Sequence, residues 1–251
     1  MSELKALLFD VDGTLSDTER DGHRVAFNMA FREKGLAWDW DVALYGELLA
    51  VTGGKERIKF FLDKYLPDFT QPDDLKGFLQ DLHQTKTKHY TELLSQGRIG
   101  LRPGVARLIA EAREQGLRLA IATTTTPENV TALLASTLGI ESIDWFELIA
   151  AGDIVPAKKP ASDIYDYTLE HMKLAPSECV ALEDSYNGIR ASLGAKLPTV
   201  ITTNAYTQND DFTGAKLVVD QLGEPDSPMK VIAGEVDNGY VTVAMLRKLI
   251  A

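Results

Sequence analysis

The sequence predicts an α/β protein, a doubly wound parallel sheet with a helical cap inserted after the first strand. Three observations lead there. Short unbroken apolar runs such as Ala6-Leu7-Leu8-Phe9 alternate with helical patterns, the rhythm of a sheet covered by helices. The runs lack the apolar–polar alternation of a half-exposed strand, so both of their faces are buried, as in parallel sheets. Each run also stops at polar residues, and ligands of such sheets bind beyond the carboxyl ends of the strands.

The elements follow in order. Ala6–Phe9 is the first strand and ends in Asp-Val-Asp-Gly. From roughly Asp17 to Arg98 helical patterns take over, with Val25, Phe27, Met29 and Phe31 on one segment and Leu75 to Leu94 on another. No buried strand is predicted there. Pro103 opens a helix over Gly104 to Gln115, closed by Gly116. The strand Leu117 to Ala122 runs into four threonines, and a helix follows Pro127. Phe146 to Ala151, Cys179 to Leu182 and Thr199 to Thr203 read as further strands, ending in Gly-Asp, Glu-Asp and Asn. Helices are expected near Asp163 to Met172 and Tyr186 to Leu193. Leu217 to Val219 is a last strand, before a Gly/Pro/Asp-rich stretch, Gly223 to Gly239, and a short final helix. Residues 1–16 and 97–251 are thus expected to form the core and residues 17–96 the cap.

Composition narrows the function. Of 251 residues, 45 % are apolar and 25 % charged, as in soluble globular proteins. The net charge of −11 argues against nucleic acid or an anionic membrane as partner. Small anionic ligands stay open, because a site is governed by its own few charges. No apolar run is long enough to span a bilayer, and the start MSELKALLFD lacks the pattern of a signal peptide. Cys179 is the only cysteine, which excludes an intrachain disulfide and a cysteine-cluster metal site. A cytoplasmic protein with a small-molecule ligand is the expectation. No obligate protein partner is implied.

Four clusters could carry chemistry. Asp10 and Asp12 can face one ligand once the chain turns at Gly13, one binding a hard cation while the other handles protons. A plain Asp-Gly turn fits as well. An EF-hand calcium loop does not, because Thr14 and Leu15 stand where a ligand and a glycine belong. The run Thr123–Thr126 before Pro127 can hold a phosphate with hydroxyls and helix N–H groups, or can simply cap the helix. Lys158 and Lys159 could meet the same anion or lie in a solvated turn. Glu183 and Asp184 could complete an oxygen-ligand cation site or cap the next helix.

The four in combination resemble the haloacid dehalogenase (HAD) superfamily of Mg-dependent phosphohydrolases, over nearly the whole chain. The motifs stand as Asp10-Val-Asp12-Gly-Thr, Thr123 after Ala120-Ile-Ala, Lys159-Pro160-Ala161-Ser162-Asp163 and Glu183-Asp184-Ser185. The resemblance implies a Rossmann-like core. The insertion after the first motif is similar to the subclass I cap of β-phosphoglucomutase and phosphoglycolate phosphatase. Asp17 to Asn28 and the loop Thr52-Gly53-Gly54-Lys55-Glu56-Arg57 resemble the CbbY type, sugar-bisphosphate phosphatases of Calvin-cycle operons that act on xylulose-1,5-bisphosphate. One departure stands out. Many relatives place His three residues after the Glu, whereas His23 comes four after Glu19.

The resemblance implies roles. Asp10 would be the nucleophile, Asp12 the acid/base, and Thr123 and Lys159 the holders of the equatorial oxygens. Mg²⁺ would be held by Asp10, the backbone carbonyl of Asp12 and Asp184, with Glu183 close behind. Glu19, His23, Thr52, Gly53 and Gly54 would bind substrate, as would Thr124 and Thr125. Lys55 and Arg57 flank a Gly-Gly turn that suits a second phosphate, though an exposed helix start explains them equally. Arg20 and Arg24 are weaker candidates. His83, His89 and His171 show no metal spacing and are expected to be structural or on the surface. The tryptophans are expected to pack rather than to stack on bases.

Three alternatives share this core or its ligand. A β-phosphoglucomutase-type mutase would return the phosphate to the sugar, but that relative carries Val where Thr14 stands. Dehalogenases lack the second aspartate, and Asp12 is present. A non-catalytic sugar-phosphate sensor would have no need of all the expected catalytic residues.

Overall fold

The computed structural model describes residues 3–250. Seven strands form one sheet in the order β3-β2-β1-β4-β5-β6-β7. They are β1 (Ala6–Phe9), β2 (Arg118–Ala122), β3 (Leu148–Ala150), β4 (Cys179–Glu183), β5 (Thr199–Thr202), β6 (Leu217–Val219) and β7 (Val231–Ala233). All neighbouring pairs are parallel except β6 with β7.

The pleat explains the unbroken apolar runs. Leu7 and Phe9 enter one core with Leu119, Ile121, Val180 and Leu182. Ala6 and Leu8 enter the opposite core with Ala120, Cys179 and Ala181. Helices α5 (Val105–Glu114), α6 (Pro127–Leu138) and α9 (Val243–Ile250) cover the first face. Helices α7 (Asp163–Met172) and α8 (Tyr186–Gly194) cover the second. The residues of β1, β4, β5 and β6 therefore lose water on one face or the other, which stabilises the sheet by about 1.5–3 kcal/mol per large side chain.

Four helices fall between β1 and α5: α1 (Arg24–Glu33), α2 (Val42–Leu48), α3 (Gly54–Tyr65) and α4 (Leu75–Ser95). They bury an aromatic cluster of their own, in which Trp40 lies 4.7 Å from Phe27 and 5.3 Å from Phe61 between ring centres. Trp38 packs edge-on against Phe31 and Phe61, and Arg113 lies over the Trp145 ring. The tryptophans are packing residues.

Register fixes the site. Phe9 pairs with Ile121 on one side and with Leu182 on the other. The residues that follow, Asp10, Thr123 and the Glu183–Asp184 pair, consequently leave the sheet at one edge. The chain steps from β1 outward to β2 and β3, then returns to place β4 on the other side of β1. That reversal opens a crevice at the carboxyl ends of β1 and β4.

The sequence reading missed β7. Val231-Ile232-Ala233 is an apolar run of only three residues, is exposed on both faces, and lies inside the Gly/Pro/Asp-rich stretch.

Candidate active site

Asp10 is the first residue beyond β1, and its N–H bonds the Leu182 carbonyl at 3.0 Å. The chain then turns through Gly13 at φ +90°, which brings Asp12 back over the sheet edge. A side chain at Gly13 would run into the Asp184 carboxylate, so the turn requires glycine twice over.

The carboxylates of Asp10, Glu183 and Asp184 are buried, and one oxygen from each lies within 4.8 Å of the others. Lys159 reaches between them, its Nζ 2.6 Å from Asp10 Oδ1 and 2.6 Å from Glu183 Oε1. Tyr165 donates to the same Glu183 oxygen at 2.6 Å, and Asn204 Nδ2 donates to Asp184 Oδ2 at 2.7 Å. Burial pushes the Asp10 carboxyl up to about 7, against the pull of Lys159 and with the push of Glu183. Burial, then Asp10 and Glu183, raise Asp184 well above the usual carboxylate range. Lys159 is held in its charged form by the two carboxylates against the cost of burial. Three buried carboxylates gather here, and the one ammonium among them pairs with only two, Asp10 and Glu183. An all-oxygen donor set with excess negative charge fits a hard divalent cation such as Mg²⁺.

Asp12 faces the other way. Its Oδ1 accepts from Thr18 Oγ1 at 2.5 Å and lies 2.7 Å from His23 Nε2. The His23 ring stacks on Tyr90, and its Nδ1 is 2.7 Å from Lys86 Nζ. Burial alone would raise the Asp12 carboxyl, but His23, Thr18 and Lys86 hold it well below its ordinary range. The expected ligand role for the Asp12 carbonyl leaves this side chain free for proton work.

Two adjoining cavities, of about 170 and 90 Å³, meet at Asp12, Glu19, Arg57 and Thr124. The smaller holds Asp10, Thr123, Lys159, Glu183 and Asp184, with Thr52 reaching in from the cap. Thr52 Oγ1 accepts from Asn187 Nδ2 at 3.0 Å, tying cap to core. The larger is lined by His23, Gly53, Gly54 and Lys55 from the cap side and by Thr125 from the core. Arg57 is buried, 2.7 Å from the Tyr45 hydroxyl and 3.6 Å from Glu19. Lys55 pairs with Asp153, which Lys158 also meets at 2.9 Å. Thr126 takes the N-cap place of α6, yet its hydroxyl makes no cap bond and lies buried without a partner. Arg20 and Arg24 line neither cavity. Arg24 instead bonds the Trp40 carbonyl at 3.2 Å.

Several residues here escaped sequence reasoning. His83 lines the larger cavity, and burial with the charges of Lys86 and Lys55 holds its imidazole down to about 3. Lys86 sits four residues from both Leu82 and Tyr90, a lysine on the apolar stripe of α4, and that misplaced charge was its signal. Asn204 and Tyr165 carried none, since a polar residue after a strand and a tyrosine in a helix are common.

A model of the haloacid dehalogenase-like hydrolase family matches residues 4–196. The plasmid-encoded CbbY protein of Cupriavidus necator is 46 % identical over 244 residues, covering 97 % of this chain and 96 % of that protein. A CbbY crystal structure from Rhodobacter sphaeroides, solved as a mutant in complex with xylulose-(1,5)-bisphosphate, superposes with a TM-score of 0.80 at 45 % identity, covering 87 % of this chain and 94 % of that one. The β-phosphoglucomutase of Clostridium difficile shares the fold, with a TM-score of 0.70 at 22 % identity over 87 % of this chain and 91 % of that one. Among the described residues no helix is long and apolar enough to cross a membrane. The chain belongs to the haloacid dehalogenase-like hydrolases.

Proposed function

We propose that this chain is a sugar-bisphosphate phosphatase that acts on xylulose-1,5-bisphosphate through an aspartyl-phosphate on Asp10. The observation that carries the chemistry is the convergence of Asp10, Lys159, Glu183 and Asp184 at one sheet edge. The likeness to a CbbY protein solved with that bisphosphate supports the choice of substrate.

Asp10 attacks phosphorus, and the leaving sugar oxygen departs in line. Lys159 Nζ and the Thr123 hydroxyl hold the equatorial oxygens, where charge is spread in the transition state. Asp10, Glu183, Asp184 and the Asp12 carbonyl would hold Mg²⁺, which when bound offsets the repulsion between carboxylate and phosphate dianion. Asp12 stands ionised in the free protein. A substrate dianion beside it favours protonation, and the protonated Asp12 then donates to the leaving oxygen. In the second half-reaction it takes a proton from the water that hydrolyses the aspartyl-phosphate.

The larger cavity is the seat of the sugar and its second phosphate. Lys55 supplies a cation there, and the start of α6 supplies N–H donors together with the unpartnered Thr126 hydroxyl. Residues 17–96 act as the cap that closes this cavity over the core and excludes water.

Borohydride trapping tests the covalent step. Reduction during turnover of xylulose-1,5-bisphosphate should convert position 10 to homoserine, read by peptide mass. An unmodified Asp10 peptide under conditions of rapid turnover would contradict the mechanism.

A further inference from the structure

Arg102 lies outside both cavities and enters no step above, yet it makes an unusually complete set of buried bonds. Its Nη1 donates to the Gly13 carbonyl, to the Thr202 carbonyl at 3.1 Å and to Thr202 Oγ1 at 3.2 Å. Its Nη2 donates to the carbonyls of Thr203 at 2.6 Å and Asp220 at 2.7 Å. Nε lies 3.3 Å from Asp17 Oδ1, and the backbone N–H donates to the Leu15 carbonyl at 2.8 Å. The guanidinium is thus buried among neutral carbonyls, with one carboxylate partner that is itself 64 % exposed. A buried cation so placed is a poor source of stability compared with an apolar residue of similar size.

Two of the anchored segments wall Asp184. Gly13 packs its backbone directly against the Asp184 carboxylate, leaving no room for a side chain. Thr203 precedes Asn204, whose Nδ2 donates to Asp184 Oδ2 at 2.7 Å. Asn204 Oδ1 accepts from the N–H groups of Tyr206 at 2.9 Å and Thr207 at 3.2 Å, which fixes the amide so that its donor end meets Asp184. One planar fork therefore sets the spacing between the Gly13 turn and the exit of β5. Lysine, with three donors on a single nitrogen, cannot span both.

We propose that Arg102 is a positioning residue for cation binding, holding the two walls of Asp184 and thereby setting the affinity of the carboxylate centre for a divalent cation without touching substrate. The proposal rests on the reading that Asp10, Glu183 and Asp184 hold such a cation.

The test is calorimetric titration of the full chain with Mg²⁺ in the absence of substrate. It compares the wild type with Arg102→Lys, Arg102→Gln, Asn204→Ala and Asp184→Asn, each checked for a cooperative melt. The wild type is expected to bind and Asp184→Asn to lose binding. The Arg102 variants and Asn204→Ala should bind at least about 10-fold more weakly, the effect of disturbing the partners of a metal ligand. A purely structural arginine would lower the melting temperature equally with and without Mg²⁺. A positioning one shrinks the rise that Mg²⁺ produces, and excess Mg²⁺ restores kcat in Arg102→Lys. Wild-type affinity in folded Arg102→Lys, with Asp184→Asn defective, overturns the proposal and leaves the cation reading intact. A wild type that binds no Mg²⁺ overturns both. Should neither Arg102 variant fold, Asn204→Ala decides, and unchanged affinity there overturns the proposal.

Discussion

His23 Nε2 lies 2.7 Å from Asp12 Oδ1, the histidine standing four residues beyond Glu19 in the sequence. The turn Glu19–His23 is π-helical, and α1 follows it directly. A π turn accommodates one extra residue without disturbing the helix beyond it. The wide turn carries the imidazole to Asp12. Gly22 permits the wide turn to press against Tyr90 and Ile99, where a Cβ would lie 2.6 Å from Ile99 Cδ1.

This pairing makes His23 the group that orients Asp12. His23→Gln should lower kcat for sugar phosphates about 100-fold, the scale of general acid catalysis. A p-nitrophenyl phosphate substrate, whose leaving group needs little protonation, should lose much less. Steady-state kinetics with both substrates checks the contrast, and equal losses would separate His23 from the proton step.

Asp10→Asn should lower kcat by at least about 1,000-fold, because the amide cannot act as nucleophile. The fold should persist, since the amide fills the same volume and its oxygen can still accept from Lys159. Phosphate release and a melting curve on one preparation read both. Retention of most activity would remove Asp10 from its role.

Lys86 gives a pH signature. Burial pushes its ammonium down to about 8, while Asp12 and Glu19 pull the other way. In the unfolded chain the group titrates near 10.4. The folded state therefore prefers the neutral amine, so the stability this group contributes is full above about pH 10.4 and is lost as pH falls through about 8. Lys86→Met should consequently gain on the wild type, by up to about 3 kcal/mol, between pH 10.4 and pH 7. Urea unfolding at several pH values measures the difference, and a gap that does not change with pH would show the ammonium to be well solvated.

The sheet was legible because strands buried on both faces leave unbroken apolar runs, and Ala6–Phe9 and Leu217–Val219 match the expected bounds. Three of the four core clusters could be read for the same reason, standing at the end of such a run, whereas Lys158-Lys159 lies in the loop beyond β3. β7 could not be read, since an exposed three-residue edge strand pairs only through its backbone. Asn204 and Arg102 were hidden for a different reason. Their significance comes from contacts across long stretches of sequence, such as the bond from Arg102 to Asp220, 118 residues away. Lys55 fell between the two cases: its place by a Gly-Gly turn was visible, but its pairing with Asp153 was not.

Lys55 tests the seat of the second phosphate. Lys55→Ala should raise KM for a bisphosphate about 10-fold and leave kcat nearly unchanged, the pattern of lost uniform binding. KM for a monophosphate should move little. Asp153, held down to about 2 by Lys55 and Lys158, stays ionised throughout the working range, so this difference should vary with pH only where the phosphate itself titrates, at about pH 6. Initial rates on the two substrates decide it, and equal changes in KM would remove the second phosphate from this seat.

The central claim is metal-dependent hydrolysis of a sugar bisphosphate. Its most direct test is inorganic phosphate release from xylulose-1,5-bisphosphate, ribulose-1,5-bisphosphate, phosphoglycolate and β-glucose-1-phosphate, with Mg²⁺ and with EDTA. The proposed function predicts release that requires Mg²⁺ and strongly favours xylulose-1,5-bisphosphate. An isomerised sugar phosphate without phosphate release, or release undiminished by EDTA, would contradict it.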